Sequence, residues 1–263
     1  MFGWKSQSAK KPKKIDFFIT YLIPSQLIYD KSRAFKNLKE ELDLRDPFFI
    51  PILLYFAPRP LSLNGIDQTD AKLLPKFVAL KNDGQSFFLD LAKFGSMQTY
   101  LAGLPKKKRY NLKRDYQKIL QLEPTVVLDR LSHFKDMITI TKQRFHDKGE
   151  ITDIEQDPYI EGAFSNLLTT PSSSFEIHLQ SVIINRRIAA VDMLAYHQGV
   201  LYPLRGGNDV SHFSGIGNFL NYQEMNQAFE LNLQKIDFLQ YAYGWKQNYL
   251  MSQPRYEIVL NDE

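Results

Sequence analysis

The sequence predicts an α/β (α+β) protein with a mixed, mostly antiparallel sheet flanked by helices. Short β-type runs dominate its first third, and a basic, helix-compatible run follows Pro105. Three closely spaced strand runs then lead through a glycine-containing turn into a further helix and a last strand. The composition agrees with a globular core: 44% of residues are apolar and 24% charged, which excludes wholesale disorder, collagen and disulfide-knot architectures. With 33 Lys and Arg against 29 Asp and Glu, the net charge of +4 is mildly basic. At 263 residues one large domain and two fused lobes are both open. A change of texture near Gly95 divides a sheet-rich N-terminal lobe, 1–95, from a second domain, 96–263.

The chain contains no cysteine. That removes thiol nucleophiles, disulfides, iron-sulfur clusters and zinc ribbons, and it allows a reducing compartment. Lys10, Lys11, Lys13 and Lys14 precede an apolar stretch at 15–23, but Asp16 and Thr20 interrupt it and no small-residue cleavage site follows. It reads as a basic tail entering a buried strand. The longest apolar run, 48–57, is broken by Pro51 and is about half the roughly 20 residues that a spanning helix needs. The expectation is a cytoplasmic protein without a transmembrane segment.

In order along the chain, the strand candidates of the first lobe are 15–23, 49–56, 77–81 and 87–91, with a short helix at 31–42. Asn82-Asp83-Gly84 signals a hairpin between the last two strands. Two prolines and an Asn64-Gly65 turn make 58–70 a loop. Pro105 occupies a first-turn position and opens a helix to Leu122, crowded by Lys106, Lys107, Lys108, Arg109, Lys113, Arg114 and Lys118. At 100° per residue, Leu112, Tyr116, Ile119 and Leu120 share a face that Arg109 borders, while Arg114 points away. Arg109 then either pairs with an internal carboxylate or joins a solvated basic face.

A strand at 125–128 follows, then a helix capped by Ser132 and ending at Lys148-Gly149, and a second helix at 157–169. After a serine-rich loop come strands at 175–184, 188–196 and 200–205, joined by turns at Asn185-Arg186 and His197-Gln198-Gly199. They form an antiparallel meander. A glycine-rich turn at 206–217 enters a helix to about Leu231, whose apolar stripe is Ile216, Phe219, Leu220, Met225 and Phe229. A strand at 235–239 completes the order.

Two features of this half can carry chemistry. At His212-Phe213-Ser214-Gly215-Ile216-Gly217, glycines permit close backbone approach, and the amides of a helix start favour a phosphate; alternatively Ser214 simply caps a helix with a flexible entry. Asp192 lies in an otherwise apolar strand, where burial raises a carboxyl's pKa and suits it to act as a base. The alternative is a structural carboxylate paired with Arg186, Arg187 or Arg109. Five histidines, His133, His146, His178, His197 and His212, show no metal-ligand spacing, so metal catalysis is not expected.

The order of meander, glycine-containing helix start and final strand resembles the acyl-CoA-binding core of GNAT acetyltransferases. Three segments sharpen the likeness: Leu104-Pro105-Lys106-Lys107-Lys108-Arg109-Tyr110-Asn111-Leu112-Lys113-Arg114, Asp209 with Ser214-Gly215, and Lys235-Ile236-Asp237-Phe238 followed by Trp245-Lys246. Together these resemble the CelD-like branch, related to FemAB-like aminoacyl transferases, over residues 97–250. The sequence departs from the pattern at four places. His212 stands where a phosphate-loop Arg or Gln is usual, no Pro precedes Gly215, Asn232 replaces a glycine, and Trp245 replaces a tyrosine.

The resemblance implies acyl transfer from acetyl-CoA or a longer acyl-CoA directly to an amine, on a small molecule or a peptide, with no covalent enzyme intermediate and no metal. It implies Asp192, Asp209, Tyr202 and Tyr243 as proton-handling candidates, with Tyr241 beside the same cleft. His212, Ser214, Gly215, Ile216, Gly217 and Asn218 would hold the donor's phosphates. Arg109, Arg114, Arg205, Trp245 and Lys246 would meet the substrates. By the same analogy 1–95 is a degenerate GNAT-like half. Two alternatives stay open: a FemAB-like transferase drawing an aminoacyl group from tRNA, and a non-catalytic protein whose basic helix contacts nucleic acid, anionic polysaccharide or a membrane surface.

Overall fold

Tight turns set the register of the central sheet. Asn185 and Arg186 both take positive φ, 51° and 63°, the type I′ geometry that matches the twist of flanking strands. Strand β4 (Glu176–Ile184) therefore folds straight back on β5 (Arg187–His197), Ile184 opposite Arg187. Gly199, at φ 78°, precedes β6 (Val200–Asn208), which pairs antiparallel with β5. The computed structural model describes residues 61–63, 78–156, 158–169, 176–197, 199–239 and 244–260. The strand candidates at 15–23 and 49–56, the helix at 31–42, the serine-rich loop, Tyr241 and Tyr243 lie outside them.

The chain forms two compact units, Gly84–Pro254 and the remainder, Met1–Asp83 with Arg255–Glu263. In the remainder, β1 (Leu61–Leu63) pairs antiparallel with residues 256–258 of β8 (Met251–Leu260). The sequence reads 58–70 as a loop; these three residues instead find backbone partners in the C-terminal strand.

In the larger unit the sheet runs in the order β2-β7-β6-β5-β4-β3. Here β2 is Val78–Asp90, β3 is Thr125–Leu128 and β7 is Lys235–Asp237. The β2-β7, β6-β5, β5-β4 and β4-β3 pairs are antiparallel and β6-β7 is parallel, so the expected mixed, mostly antiparallel sheet is what forms. The hairpin expected at Asn82-Asp83-Gly84 is not. Residues 78–90 make one strand, because β7 takes the backbone groups a hairpin would use. Phe88, Leu89 and Asp90 lie opposite Asp237, Ile236 and Lys235, and Phe87 donates to the Leu239 carbonyl at 3.0 Å while accepting from Phe238 N–H at 2.8 Å.

Helices cover both faces. On one face lie α1 (Leu91–Phe94), α2 (Met97–Gly103), α3 (Lys106–Leu120) and α7 (Ile216–Glu230). Ile119 of α3 and Phe219 and Leu220 of α7 pack on Val182, Ile184 and Ala190. Leu112, Met225 and Ala228 join Leu194, Leu201 and Ile236 beside α2. On the other face α4 (His133–His146), α5 (Asp153–Gln156) and α6 (Pro158–Thr169) set Phe134, Met137 and Ile154 against Leu179, Val191 and Met193. A short α8 (Gly244–Tyr249) precedes β8. No described helix is long and apolar enough to cross a membrane.

Several local expectations change. Ser132 precedes α4 but makes no capping bond, its backbone being already helical at φ −58° and ψ −29°. Leu120, on the last turn of α3, is exposed rather than buried. Gly206 and Gly207, read as part of a turn, are strand residues opposite Asp192 and Val191. They suit close approach on opposite faces. A Cβ on Gly206 would fall 2.0 Å from Asp192 Oδ1, and one on Gly207 would fall 2.5 Å from the Met137 carbonyl oxygen of α4.

Candidate active site

Strand β6 is where the sheet opens. It shares only Val200↔Lys235 and Leu201↔Ile236 with β7, then runs on to Asn208 while β7 stops at Asp237. Just past this point the β5-β6 register slips, with Met193 opposite Arg205 but Leu194 opposite Pro203, so Leu204 is an extra residue. Such bulges bend and twist a strand. They also accommodate a proline, which has no N–H for the ladder. Pro203 and the parting of the strands thus belong to one irregularity.

The loop after β6 is held by Asp209. Its Oδ1 accepts from Ser211 Oγ at 2.8 Å and from His212 N–H and Nδ1 at 3.3 and 2.9 Å, and Arg187 Nη2 lies 2.9 Å from Oδ2. Burial opposes ionisation, but the bonds from His212 and Ser211 and the Arg187 charge prevail and hold this carboxyl below its ordinary pKa. Asp209 is a saturated acceptor that fixes a turn. His212, at the position where the GNAT pattern has Arg or Gln, is exposed and turned to Asp209.

The helix cap is Gly215, at φ 97° and without a side-chain capping bond, so Ser214 does not serve as the N-cap. The left-handed turn suits glycine. Ile216 N–H is bonded to the Phe213 carbonyl, and the first helical bond runs from Phe219 to Gly215. That leaves the amides of Gly217 and Asn218 as the donors of the first turn. Asn218 Nδ2 donates to Asp115 Oδ2 at 2.6 Å, and Arg114 donates to Asp115 Oδ1 through Nε and Nη2 at 2.9 and 2.6 Å. Asp115 of α3 is thereby tied to the start of α7, with Arg114 offsetting its charge.

Two turns further along α7 the picture reverses. Glu224 is 0% exposed and Asp192 8%. Among the described residues, neither Glu224 oxygen, nor Asp192 Oδ1, meets a hydrogen-bond donor. Asp192 lies between Gln180 of β4 and Gly206 of β6, and the missing side chain of Gly206 leaves room for its carboxyl. Burial pushes Asp192 up to about 6, against the opposing influence of a hydrogen bond with Glu224 and the Arg144 charge. Burial first, then the Asp192 charge and the hydrogen bond shared with it, pushes Glu224 well above its ordinary value. A bond between two carboxyls exists only when one carries the proton.

Of the arginines proposed as partners of Asp192, Arg187 and Arg109 are engaged elsewhere, and so is Arg205, expected to meet a substrate. Arg187 meets Asp209. Arg109 Nη1 donates to the Ala102 and Leu101 carbonyls at 3.2 and 3.5 Å, capping the end of α2, where a cation offsets the helix dipole. Arg205 binds Asp153 through two bonds of 2.7 and 2.5 Å and lies over the Phe164 ring. Its hydrogen bonds hold Asp153 below the usual carboxylate range.

Near the end of β7, Lys246 is buried and donates from Nζ to the Phe238 carbonyl at 2.5 Å. Burial lowers it to about 8, although the Asp237 charge acts the other way. Trp245 meets Phe238 edge to face, with centroids 5.3 Å apart. Tyr202 is buried on β6, opposite Ala195. The structure therefore groups Ser214 to Asn218 with Asp209 and His212 at one end of α7, Asp192 beneath its middle, and Trp245 and Lys246 beyond β7. Sequence reasoning missed Glu224 and Asp115. A signal existed for Glu224, since Ile216, Leu220, Glu224 and Ala228 recur every four residues and the carboxyl stands on the apolar stripe.

The family model for the Acetyltransferase (GNAT) domain matches residues 106–247, more than half of the chain. The chain belongs to the GNAT acetyltransferase family. The match runs from the basic helix α3 through the meander and α7 to Gln247. Among solved structures, L-PGS from Bacillus licheniformis is similar at 11% identity with a TM-score of 0.52, over 75% of this chain and 67% of that one. That likeness is one of fold. The C-terminal domain (DUF2156) of a putative lysylphosphatidylglycerol synthetase from Agrobacterium fabrum matches at 13% identity with a TM-score of 0.46, over 71% of this chain and 62% of that one. This GNAT chain thus spans less than two thirds of the Agrobacterium structure. FemX matches at 13% identity and a TM-score of 0.46, over 66% of this chain and 61% of its own. The search of curated proteins finds no match.

Proposed function

We propose that the protein is an N-acyltransferase that moves an acyl group from acetyl-CoA or a longer acyl-CoA to an amine without a covalent enzyme intermediate. The observation that carries this reading is the parting of β6 from β7 beside the unpaired amides of Gly217 and Asn218. An acyl-pantetheine arm fits an opening between strands, and a pyrophosphate fits the start of a helix. The bulged stretch of β6 offers backbone amides to the thioester carbonyl. Asp192 takes the amine proton as the C–N bond forms and the C–S bond breaks, and the departing thiolate takes a proton from the neighbouring acid or from water. Lys246, with its pKa lowered to about 8 by burial, supplies positive charge for the developing oxyanion. We assign Asp209 to the loop, because both of its oxygens are engaged by Ser211, His212 and Arg187. CelD-like membership remains the finer reading of the basic helix and the Asp237-Phe238 segment.

A second reading draws the acyl group from an aminoacyl-tRNA. It is favoured by Lys106, Lys107, Lys113 and Lys118, exposed along α3, and by the Asp115 carboxylate already standing at the α7 start. Titration calorimetry with acetyl-CoA and a long-chain acyl-CoA, beside Gly217→Trp, separates the two. Binding by the wild type alone upholds the first. Absence of binding, together with tRNA affinity that falls steeply with salt, replaces it with the second.

A further inference from the structure

The unusual feature of the larger unit is a pair of buried acids, three of whose four oxygens have no donor among the described residues. Glu224 projects from the middle of α7 toward β5, fully enclosed, and among the described residues both of its oxygens lack an N–H or O–H donor. Asp192 of β5 stands near enough for each carboxyl to act on the other's charge, and its Oδ1 lies where a side chain on residue 206 would be. The groups around the pair are Gln180 from β4, Tyr196 from β5, whose hydroxyl feels the Glu224 charge, Gly206 from β6 and the Arg144 charge from α4. Two ionised carboxylates cannot share such a space, since each forfeits its hydration and repels the other. A merely structural site would satisfy these oxygens, as Asp209 is satisfied a few residues away.

We propose that Glu224 is a positioning residue for Asp192: the two carboxyls hold one proton between them, and protonated Glu224 donates its O–H to the Asp192 carboxylate. Asp192 is thus kept in the basic form within a dry interior, oriented by a donor from above and by the open space over Gly206. When Asp192 accepts the amine proton, the pair passes from one proton and a single negative charge to two protons and none. It is reset when a proton leaves to the departing thiolate or to water. This inference rests on Asp192 as the base of the proposed function, although the shared proton itself does not depend on catalysis.

The experiment follows the Asp192 carboxyl carbon by 13C NMR across pH 4 to 10 in the full chain, in wild type and three variants. Asp192→Asn identifies the resonance. Glu224→Leu, which removes the donor at similar volume, is expected to raise the Asp192 midpoint by about one unit. Glu224→Gln, which retains a donor but cannot ionise, is expected to leave that midpoint in place and to abolish the second, high-pH step that the pair shows in wild type. The Gln variant alone suffices if the Leu variant does not fold. A wild-type titration in one step, or an Asp192 midpoint indifferent to Glu224→Leu, overturns the inference. In parallel, release of coenzyme A thiol from acetyl-CoA with glycinamide as acceptor is measured against pH. An acid limb that moves with the Asp192 midpoint supports both assignments. A limb that stays put while the NMR midpoint moves leaves the shared proton standing and removes Asp192 as the base.

Discussion

The start and the middle of α7 hold carboxyls in opposite conditions. At the start, Asp209 receives hydrogen bonds from Ser211 and His212 and a charge from Arg187, and Asp115 receives Asn218 and both arms of Arg114. In the middle, Asp192 and Glu224 have each other. In the first arrangement every carboxylate oxygen has a partner that fixes the loop or the helix start. The second leaves an acceptor unused and a proton displaced from its ordinary pH range, which is what proton transfer requires. Residue type alone does not distinguish the two; donor supply does.

The comparison is tested hardest by Asp192→Asn. Loss of a general base lowers acyl transfer by about 10²- to 10⁴-fold, while the melting temperature holds, because an amide replaces an unsatisfied acid. A large fall in stability with residual activity near wild type would place Asp192 with the loop carboxylates. Asp209→Ala is the converse: it strands the Ser211 and His212 donors and should lower stability by about 1–3 kcal/mol in chemical denaturation, with a smaller effect on rate under saturating donor.

The two regions also respond to pH with opposite sign. Asp192 and Glu224 titrate above their ordinary values in the folded state, so the folded chain binds protons that the unfolded chain releases near pH 4. Their contribution is complete below that point and is lost as pH rises through about 6 and beyond. Asp209 and Asp153 titrate below their ordinary values, so theirs is present above about pH 4 and is lost in acid. Thermal melts between pH 5 and 7 therefore report chiefly on the acid pair, because Lys246, lowered to about 8, adds stability only as pH rises toward and past that value. Wild type is expected to lose stability across that range, and Glu224→Gln to lose less; parallel curves would refute the assignment. The smallest effect belongs to Asp115→Asn, within about 1 kcal/mol, visible mainly as tighter binding of anions at the α7 start.

Much of this was legible in the sequence. The meander was readable because Asn185-Arg186 and Gly199 sit between β-branched, alternating runs, and α3 because Pro105 opens a long uninterrupted segment. The burial of Asp192 followed from its apolar neighbours. What could not be read were contacts between distant segments. Asn82-Asp83-Gly84 has hairpin chemistry, yet a strand about 150 residues away claims the backbone of 87–90. Arg109 and Arg187 looked available to Asp192 until the α2 carbonyls and Asp209 took them. Glu224 was overlooked because a charged residue within a helix is ordinarily solvated, and only its spacing from Leu220 and Ala228 says otherwise.

Gly206 and Gly207 place two unrelated demands side by side. The first borders a carboxyl and the second borders the backbone of α4, on opposite sides of one strand. A single methyl therefore has two different fates one residue apart. On Gly206 it displaces a short side chain and should register chiefly in turnover; on Gly207 it meets a main-chain oxygen and should register in the yield of folded protein. A saturation scan would score both positions as intolerant. Only a selection that sorts abundance from activity would reveal that one glycine guards the architecture and its neighbour guards the chemistry.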